Sequence, residues 1–522
     1  DATQLPEQKV VAISGVVSKD GNGAGRRRIV LFGDSQTENN QDLGSFNFSA
    51  LAQTGGTATL AGLTTQTGQL IKIGRVAQAG YFKKHQITTV GGAATFPVPA
   101  DTPSPASSRP RGDGVGAYTG FLVQYLNRNS SRAWMHLANY RAGGELFHVV
   151  NNAAYGGDTT WGMLERIDHP DWGVTPYPAE WVSVFGGIND LNAGVPAATV
   201  IRNLREIYDY LRSRNYSIIA ITLCPVISGH PSYGDATHAA GILTVNDWIR
   251  QYARTQPRMM LWDFFSVIND PTAATLSGKA DYVNPTDYIH FTPRAAWDLA
   301  TLILNSCRDM LPSVQHTLPS AVTDSRAFNS PGQNQLNPLM QTGTPGIVSN
   351  RASGTVATNW AVDHAGNVAS TSVCSVVART VADDGDTIGN NQKVVINAAA
   401  AADSGYVRNT PSNNSTLEVG AWYYAEAAVR IENWTGLDLP VLNYSMTIDG
   451  VTTGAAACYS GSGDSYGAQP TGVSAVMVMR TPNFYVPPGV SASGVMSLSW
   501  RSNAAGSGTL YLGRAHLRKV VE

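Results

Sequence analysis

The sequence is poor in charged residues and has almost no clustered basic residues. Charged side chains make up 14% of the 522 residues, and the formal net charge is −2. An average soluble protein has roughly 25% charged residues. The only tight basic run is Arg26-Arg27-Arg28, directly before an apolar stretch. A nucleic-acid-binding protein needs a basic patch or stripe, so we expect no nucleic-acid partner.

Long apolar runs and cysteines are also scarce. No run approaches the roughly 20 apolar residues of a membrane span, so none is predicted. The chain opens on Asp1-Ala2-Thr3-Gln4, with neither an initiator methionine nor a signal-like core, so we expect a trimmed chain that does not encode its own localisation. Four cysteines in so long a chain make no disulfide framework. We expect four free buried thiols, with a Cys374–Cys458 bridge as the alternative.

Small and neutral polar residues take the place of the missing charges. The chain has 52 glycines and is rich in Ser, Thr, Asn and Ala. This composition favours a β- and loop-rich protein whose neutral polar surface suits a ligand such as a glycan. The length predicts roughly two to four domains.

Short apolar runs alternate with helix-like stretches through the first 312 residues, outside one interruption. This alternation predicts βαβ units and a parallel sheet. The predicted strands are Arg27–Phe32, Leu146–Asn151, Trp181–Phe185, Ile218–Leu223 and Met259–Phe264. The predicted helices are Tyr118–Asn127, Thr159–Ile167, Ala197–Arg214, Gly241–Ala253 and Pro293–Met310.

Two regions break this alternation. Residues 47–110 are rich in Gly, Thr and Ala and predict a β-rich insertion, which leaves 1–46 and 111–312 as the α/β domain. Residues 313–337 contain no periodic apolar pattern and predict a linker. Residues 338–522 consist of short alternating runs separated by turns, and we expect a jelly-roll-like β-sandwich that binds carbohydrate or serves assembly.

Polar motifs follow the predicted strands where each of them ends. Gly33-Asp34-Ser35 follows the first strand, and Tyr155-Gly156-Gly157-Asp158 follows the second. Gly186-Gly187-Ile188-Asn189-Asp190 follows the third, and Asp287-Tyr288-Ile289-His290 precedes the last helix. Reactive groups of open α/β sheets collect at the carboxyl edge of the strands, so these motifs are predicted to meet there.

In this order the four motifs resemble the four sequence blocks of the SGNH (GDSL-type) hydrolase superfamily. The resemblance implies a three-layer α/β/α flavodoxin-like fold. It also implies that Ser35 is the nucleophile, His290 the base and Asp287 its orienting carboxylate. Gly157 and Asn189, with the backbone N–H of Ser35, would form the oxyanion hole. The chain departs from the family pattern at Ala154 and at Ala295-Ala296, where glycine is frequent.

The chemistry requires these residue types on independent grounds. A serine hydroxyl is a weak nucleophile until a neighbouring imidazole takes its proton. Amide and backbone N–H donors stabilise the negative oxygen of the tetrahedral intermediate without adding a competing charge. Taken singly, Ser35 and Asp287 would be interpreted as helix caps, and Asp190 as a capping or buried hydrogen-bonding residue. The remaining histidines have no metal-type spacing, so we expect neither a metal nor another cofactor.

The substrate must be inferred from the surroundings of these motifs. Tyr155, Trp161 and Asp190 are candidate substrate-binding residues, because aromatic faces among polar groups suit sugar rings. The whole chain resembles the esterase part of a phage tailspike or a secreted carbohydrate esterase. This resemblance implies an O-acetyl esterase acting on a bacterial surface polysaccharide, located outside the cell or on the virion, and a homotrimer if it is a tailspike. The alternatives are a short-chain acyl-ester or lipid hydrolase, and a receptor-binding protein with an inactive hydrolase domain.

Overall fold

The structure of the chain is a computed structural model. It describes residues 27–38, 44–48, 50–54, 57–61, 70–74, 84–86, 88–90, 93–97, 118–122, 127–144, 146–169, 173–175, 177–226, 236–308, 318, 339–409, 418, 420–448, 451–459, 467–486 and 494–520. Most of the predicted linker, residues 313–337, lies outside these ranges. None of the helices within them is long and apolar enough to cross a membrane.

The elements of the described residues are numbered in chain order. The strands before the C-terminal region are β1 (Arg28–Gly33), β2 (Gly44–Phe48), β3 (Ala50–Thr54), β4 (Thr57–Ala61), β5 (Leu70–Gly74), β6 (Lys84–Gln86), β7 (Thr88–Val90), β8 (Ala93–Pro97), β9 (Tyr118–Leu122), β10 (Asn127–Ser130), β11 (His148–Ala154), β12 (Trp181–Phe185), β13 (Ser217–Ile221) and β14 (Met259–Trp262). The later strands are β15 (Ile347–Asn350), β16 (Ala352–Gly354), β17 (Trp360–Ala365), β18 (Thr371–Ala378), β19 (Asn390–Ala398), β20 (Ser404–Asn409), β21 (Trp422–Leu437), β22 (Val441–Ile448), β23 (Val451–Tyr459), β24 (Val473–Arg480), β25 (Phe484–Tyr485) and β26 (Gly494–Lys519). The helices are α1 (Ser35–Glu38), α2 (Trp134–Arg141), α3 (Thr160–Glu165), α4 (Ile188–Asn192), α5 (Ala197–Ser213), α6 (Ala236–Thr255), α7 (Phe264–Ile268), α8 (Pro293–Cys307) and α9 (Val381–Asp384).

A parallel five-stranded sheet forms the centre of the α/β domain. Its strand order is β11-β1-β12-β13-β14, and every neighbouring pair is parallel. This is the flavodoxin-like order. The second strand of the sheet in the chain, β11, lies on one side of β1, and the later strands follow one another on the other side, so the strand order reverses at β1. The predicted α/β fold is therefore confirmed, and β1 lies in the middle of the sheet with a strand on each side.

Helices cover both faces of this sheet because alternate strand residues point to opposite sides. Val30 and Phe32 of β1 join one apolar core with residues of α5 and α6. Ile29 and Leu31 join a second core with residues of α2 and α8. The domain is thus three-layered, as expected, and the carboxyl ends of its strands share one edge.

The predicted helix Tyr118–Asn127 is wrong, because this segment is drawn into two strands of different sheets. The strand β9 pairs antiparallel with β2 and β5 of the insertion. The strand β10 pairs parallel with β23, far away in the C-terminal region. Long-range pairing has overridden the local helical pattern. Conversely, the sequence pattern missed α2, which is buried along nearly its whole length and so has no polar face to reveal its period.

The insertion consists of two four-stranded sheets in the described residues. Their strand orders are β2-β9-β5-β6 and β3-β4-β8-β7. The insertion was predicted to be β-rich over residues 47–110. Strand pairing extends beyond both limits, from Gly44–Phe48 to Tyr118–Leu122. The insertion therefore leaves the α/β domain soon after the nucleophile turn and returns shortly before α2.

The C-terminal region is a β domain that shares a core with the α/β domain. Its longest strand, β26, pairs first with β20 and β22 and then with β19 and β21, so it joins two portions of sheet. Trp134 of α2 and Met477 of β24 belong to the same apolar cluster. The β10–β23 pairing adds a second junction. All four cysteines are free and buried, so Cys374 and Cys458 form no bridge.

Candidate active site

The turn after β1 presents Ser35 at the carboxyl edge of the sheet. Gly33 ends the strand, and a Cβ atom there would lie 2.4 Å from the backbone oxygen of Phe185 and equally close to Thr37 Oγ1. Only glycine fits without displacing these atoms. The backbone N–H of Asp34 donates to the same Phe185 oxygen at 3.2 Å. Ser35 then begins α1, so the nucleophile turn is fixed against the neighbouring strand β12.

Ser35, His290 and Asp287 form a hydrogen-bonded relay. His290 Nε2 lies 2.8 Å from Ser35 Oγ, although the two residues are 255 positions apart. His290 Nδ1 lies 3.0 Å from Asp287 Oδ2. These contacts match the roles of nucleophile, base and orienting carboxylate in a serine-hydrolase triad. The structure therefore brings together the three residues that the sequence singled out.

Asp287 is held in place by donors from its own loop. The side-chain amide of Asn284 donates to Oδ2 at 2.8 Å, and the backbone N–H groups of Ile289 and His290 donate to Oδ1 at 2.9 Å. Partial burial raises the pKa of Asp287, but the hydrogen bonds from His290 and these N–H groups outweigh it. The net result is a pKa well below its usual range. Asp287 therefore stays ionised and can orient the imidazole.

The predicted oxyanion-hole residues follow the strands on either side of β1. Gly157 has a φ of +76°, in the region that favours glycine. The side-chain amide of Asn189 donates to the backbone oxygen of Asp158 at 2.9 Å, which ties it to the residue next to Gly157. An asparagine amide carries two N–H donors. One N–H of Asn189 thus fixes the side chain, and the predicted oxyanion-hole role would use the other.

Asp190 is a buried hydrogen-bonding residue that connects two helices, and its contact with substrate stays a prediction. Its side chain is buried, with 2% of the residue exposed. Its two carboxylate oxygens accept from the backbone N–H and the hydroxyl of Thr160, at 2.8 and 2.7 Å. Burial raises the pKa of Asp190 more than these hydrogen bonds lower it. The carboxylate therefore links the first residue of α3 to α4.

Tyr155 and Trp161 are the other two candidates for substrate contact. Tyr155 follows β11, is half-buried, and its backbone N–H donates to the oxygen of Gly33 at 3.0 Å. Trp161 lies in the first turn of α3 and is 38% exposed, which is unusual for so large an apolar side chain. Both residues belong to the segment that carries Gly157.

Two supporting residues were missed by the sequence analysis. Gln36, only 2% exposed, donates through Nε2 to the backbone oxygen of Ile289 at 3.2 Å and so joins the nucleophile turn to the histidine loop. Arg166 donates to Asp158 Oδ2 at 2.7 Å, to the oxygen of Ala153 at 2.6 Å and to that of Gly33 at 3.0 Å. No short-range signal marks either residue, because their partners come from distant segments.

Asp34 is a fully buried carboxyl group beside the nucleophile. Its Oδ1 accepts the backbone N–H of Gln36 at 3.0 Å, while Oδ2 has no hydrogen-bond partner among the described residues. Burial raises the pKa of Asp34 to about 7, against the lowering effects of the Gln36 N–H and of His290. No pattern in the sequence predicts that Asp34 is buried. No cluster of three or more His, Cys, Asp or Glu residues suited to a metal occurs in the described ranges.

Residues 112–297 match the GDSL-like lipase/acylhydrolase family. The matched stretch starts after most of the insertion, so it includes Asp287 and His290 but not Ser35. Ser35 is assigned to the site by the hydrogen bond between its Oγ and His290 Nε2. A comparison with curated proteins finds no match.

Solved structures that resemble the chain include lipolytic proteins and an acetylxylan esterase. A GDSL-like lipase from Bacteroides thetaiotaomicron is 15% identical, with 31% of this chain and 76% of that chain covered and a TM-score of 0.27. A member of the lipolytic G-D-S-L family from Veillonella parvula is 19% identical, with 34% and 87% covered and a TM-score of 0.26. A catalytic mutant of an acetylxylan esterase from Geobacillus stearothermophilus is 18% identical, with 31% and 72% covered and a TM-score of 0.26. At these identities and TM-scores, the similarities do not bear on the activity of this chain.

Proposed function

Since its α/β domain is a GDSL-like lipase/acylhydrolase domain, we propose that this chain is a serine esterase that removes O-acetyl groups from a bacterial surface polysaccharide. The observation that carries the esterase chemistry is the relay from Ser35 through His290 to Asp287, with contacts of 2.8 and 3.0 Å. An intact relay is not expected of a receptor-binding protein that has lost its activity.

The reaction follows from the roles of these groups. Ser35 Oγ attacks the acetyl carbonyl carbon while its proton passes to His290 Nε2. The imidazolium then protonates the sugar oxygen as the ester C–O bond breaks, which leaves acetyl-Ser35 and a free hydroxyl group. A water molecule gives its proton to Nε2 as it attacks the acetyl carbon. Ser35 recovers a proton when acetate leaves, and the enzyme is restored.

The negative oxygen of both tetrahedral intermediates needs fixed hydrogen-bond donors. We assign this role to the backbone N–H groups of Ser35 and Gly157 and to the second N–H of Asn189. The bond from Asn189 to the Asp158 oxygen holds the amide in place before substrate arrives. Because the donor is already oriented, it costs little reorganisation during the reaction.

The polysaccharide assignment is supported by the aromatic side chains and the composition. Trp161 offers an exposed ring on the segment that carries Gly157, and sugar rings pack their C–H faces on aromatic rings. Only 14% of the chain is charged, which suits a neutral polymer better than an anionic one. The insertion is attached directly after the nucleophile turn, where it would border the substrate.

Acetate release from O-acetylated bacterial polysaccharides, followed by NMR, tests the proposed substrate class. We expect release by the wild-type chain and none by Ser35→Ala. Trp161→Ala should raise KM for the polymer while leaving turnover of p-nitrophenyl acetate nearly unchanged, and Trp161→Phe should retain most of the polymer binding. Equal losses on both substrates would show that Trp161 does not contact the polymer.

The chain length of the acyl group separates this proposal from a lipid or general short-chain hydrolase. The assay compares p-nitrophenyl acetate, butyrate and octanoate, with Ser35→Ala as the control. Preference for octanoate would contradict a deacetylase. A location outside the cell or on a phage virion, and a homotrimer, stay predictions that fractionation and sedimentation can test.

A further inference from the structure

The helix that follows the catalytic histidine receives part of its N-terminal cap from the C-terminal β domain. The first N–H groups of a helix have no partner within it. In α8, the N–H of Ala295 is capped by the hydroxyl of Thr292 at 3.2 Å. The N–H of Arg294 instead donates to the backbone oxygen of Ala468, in the C-terminal domain, at 3.0 Å. The β domain thus completes the cap of the helix that begins three residues after His290.

Gly467 brings the same segment into contact with the histidine loop. A Cβ atom on Gly467 would lie 2.7 Å from Thr292 Cγ2 and 3.4 Å from Pro285 Cδ. Pro285 precedes Asp287 by two residues, and Thr292 follows His290 by two. The segment therefore touches the loop on both sides of the two catalytic residues. A side chain at position 467 would have to displace Thr292.

Thr292 is well placed to pass such a displacement to the imidazole. Its hydroxyl donates to the backbone oxygen of Asp281 at 2.6 Å. Its backbone N–H donates to the backbone oxygen of Tyr282 at 3.0 Å. The side chain is buried. Close packing leaves little room for Thr292 to yield without moving its neighbours, and His290 is two residues away.

We propose that residues Gly467 and Ala468 are positioning residues of the active site, through which the C-terminal β domain sets His290 against Ser35. The β domain is then part of the hydrolase rather than a detachable binding or assembly module. Its own anchorage supports this role, because β24, which follows the segment, packs against α2 of the α/β domain. The inference rests on the proposed esterase function, since its main measurement is ester turnover by Ser35.

The test compares two glycines of one loop in the full-length chain. Gly467 has a φ of +86° and Gly472 one of +66°, so alanine is strained at both. No atom lies within 4 Å of a Cβ placed on Gly472, which makes Gly472→Ala the matched control. A misplacement of about 1 Å in an active site can cost roughly 100-fold in rate. We expect Gly467→Ala to lower kcat on p-nitrophenyl acetate by about 10- to 100-fold with little change in KM, and Gly472→Ala to stay near wild type.

A second substitution tests whether the effect passes through Thr292. Thr292→Ser removes the methyl group that would meet the new Cβ and keeps the hydroxyl that caps Ala295. The double variant Gly467→Ala/Thr292→Ser should therefore recover most of the kcat of Thr292→Ser alone. Wild-type kcat in Gly467→Ala, an equal loss in Gly472→Ala, or no recovery in the double variant would each overturn the proposal.

A measurement without substrate separates this proposal from the proposed function. In chain labelled with ¹⁵N-histidine, the ring nitrogens of His290 report its hydrogen bonds to Ser35 and Asp287. We expect their shifts to change in Gly467→Ala and not in Gly472→Ala. If the wild-type chain hydrolyses no ester, the esterase function fails and this spectrum alone decides the positioning role. Unchanged His290 shifts in Gly467→Ala would then refute it.

Discussion

Replacing Asp34 by asparagine should reduce the loss of folding stability that accompanies a rise in pH. The carboxyl is fully buried, and its pKa is about 7 instead of the ordinary 3.8. Because the pKa is raised in the folded state, the folded chain holds this proton at pH values where the unfolded chain has released it. The stability contributed by Asp34 is therefore complete below about pH 4 and is lost as the pH rises to about 7.

The expected size follows from this pKa. Between pH 5 and pH 7 the unfolded carboxyl is ionised and the folded one is not, at a cost of about 1.4 kcal/mol per pH unit. Relative to wild type, Asp34→Asn should thus gain on the order of 2–3 kcal/mol of unfolding free energy between pH 5 and pH 8. The asparagine can keep the acceptor for Gln36 N–H. Any cost of a buried amide N–H is present at both pH values and cancels in this difference.

Urea unfolding at pH 5 and pH 8, followed by tryptophan fluorescence, measures the free energy of unfolding of the wild type and of Asp34→Asn. Asp190→Asn is the contrasting variant, because both oxygens of Asp190 accept hydrogen bonds from Thr160. An amide nitrogen there faces a donor, so this variant should be less stable than wild type by about 1–3 kcal/mol at pH 5, and the loss should be smaller at pH 8 because the pKa of Asp190 is also raised. If the difference between Asp34→Asn and wild type is the same at pH 5 and pH 8, the argument from burial is refuted.

Three further substitutions test the site. Asn189→Ala should lower kcat on p-nitrophenyl acetate by about 10²–10³-fold with a smaller change in KM, and a loss below tenfold would remove Asn189 from the oxyanion hole. Gln36→Leu leaves the Ile289 oxygen without its donor and should cost about 1–3 kcal/mol in urea unfolding, together with a lower kcat. An unaltered kcat would show that Gln36 does not align the triad. Asp287→Asn should lower kcat by about 10⁴-fold, because the imidazole is no longer held in the tautomer that accepts the Ser35 proton, while the far-UV circular dichroism spectrum stays that of the folded wild type.

The triad could be predicted from the sequence because each of its residues lies in a short motif next to a predicted strand or helix. In a parallel sheet, motifs that follow the strands meet at one edge, and the resemblance to the SGNH hydrolases implied that His290 and Asp287 join Ser35 there. The strand Trp181–Phe185 has the bounds that its apolar run predicted. Local pattern and tertiary structure agree here, since this strand is buried on both faces.

Other features depend on partners that a local pattern cannot reveal. Gln36 bonds to a carbonyl group 253 positions away, and the cap on Arg294 comes from residue 468. The predicted helix Tyr118–Asn127 is wrong because the strand partners of this segment lie at 44–48, 70–74 and 455–459. The partner of Asp190 could not be predicted either, because Thr160 lies 30 positions away and reaches Asp190 only once α3 and α4 are in place.

The parallel pairing of β10 with β23 also bears on how the chain folds. Asn127 pairs with Ala455, so this contact closes a loop of more than 300 residues. Contacts between residues so distant in sequence form late, because the entropy of the intervening chain must first be lost. During synthesis the α/β domain emerges well before β23 and the cap at Ala468. The active site should therefore become complete only after the β domain has been translated. In ribosome-bound chains that end before β23, Ser35 and His290 should not yet be aligned.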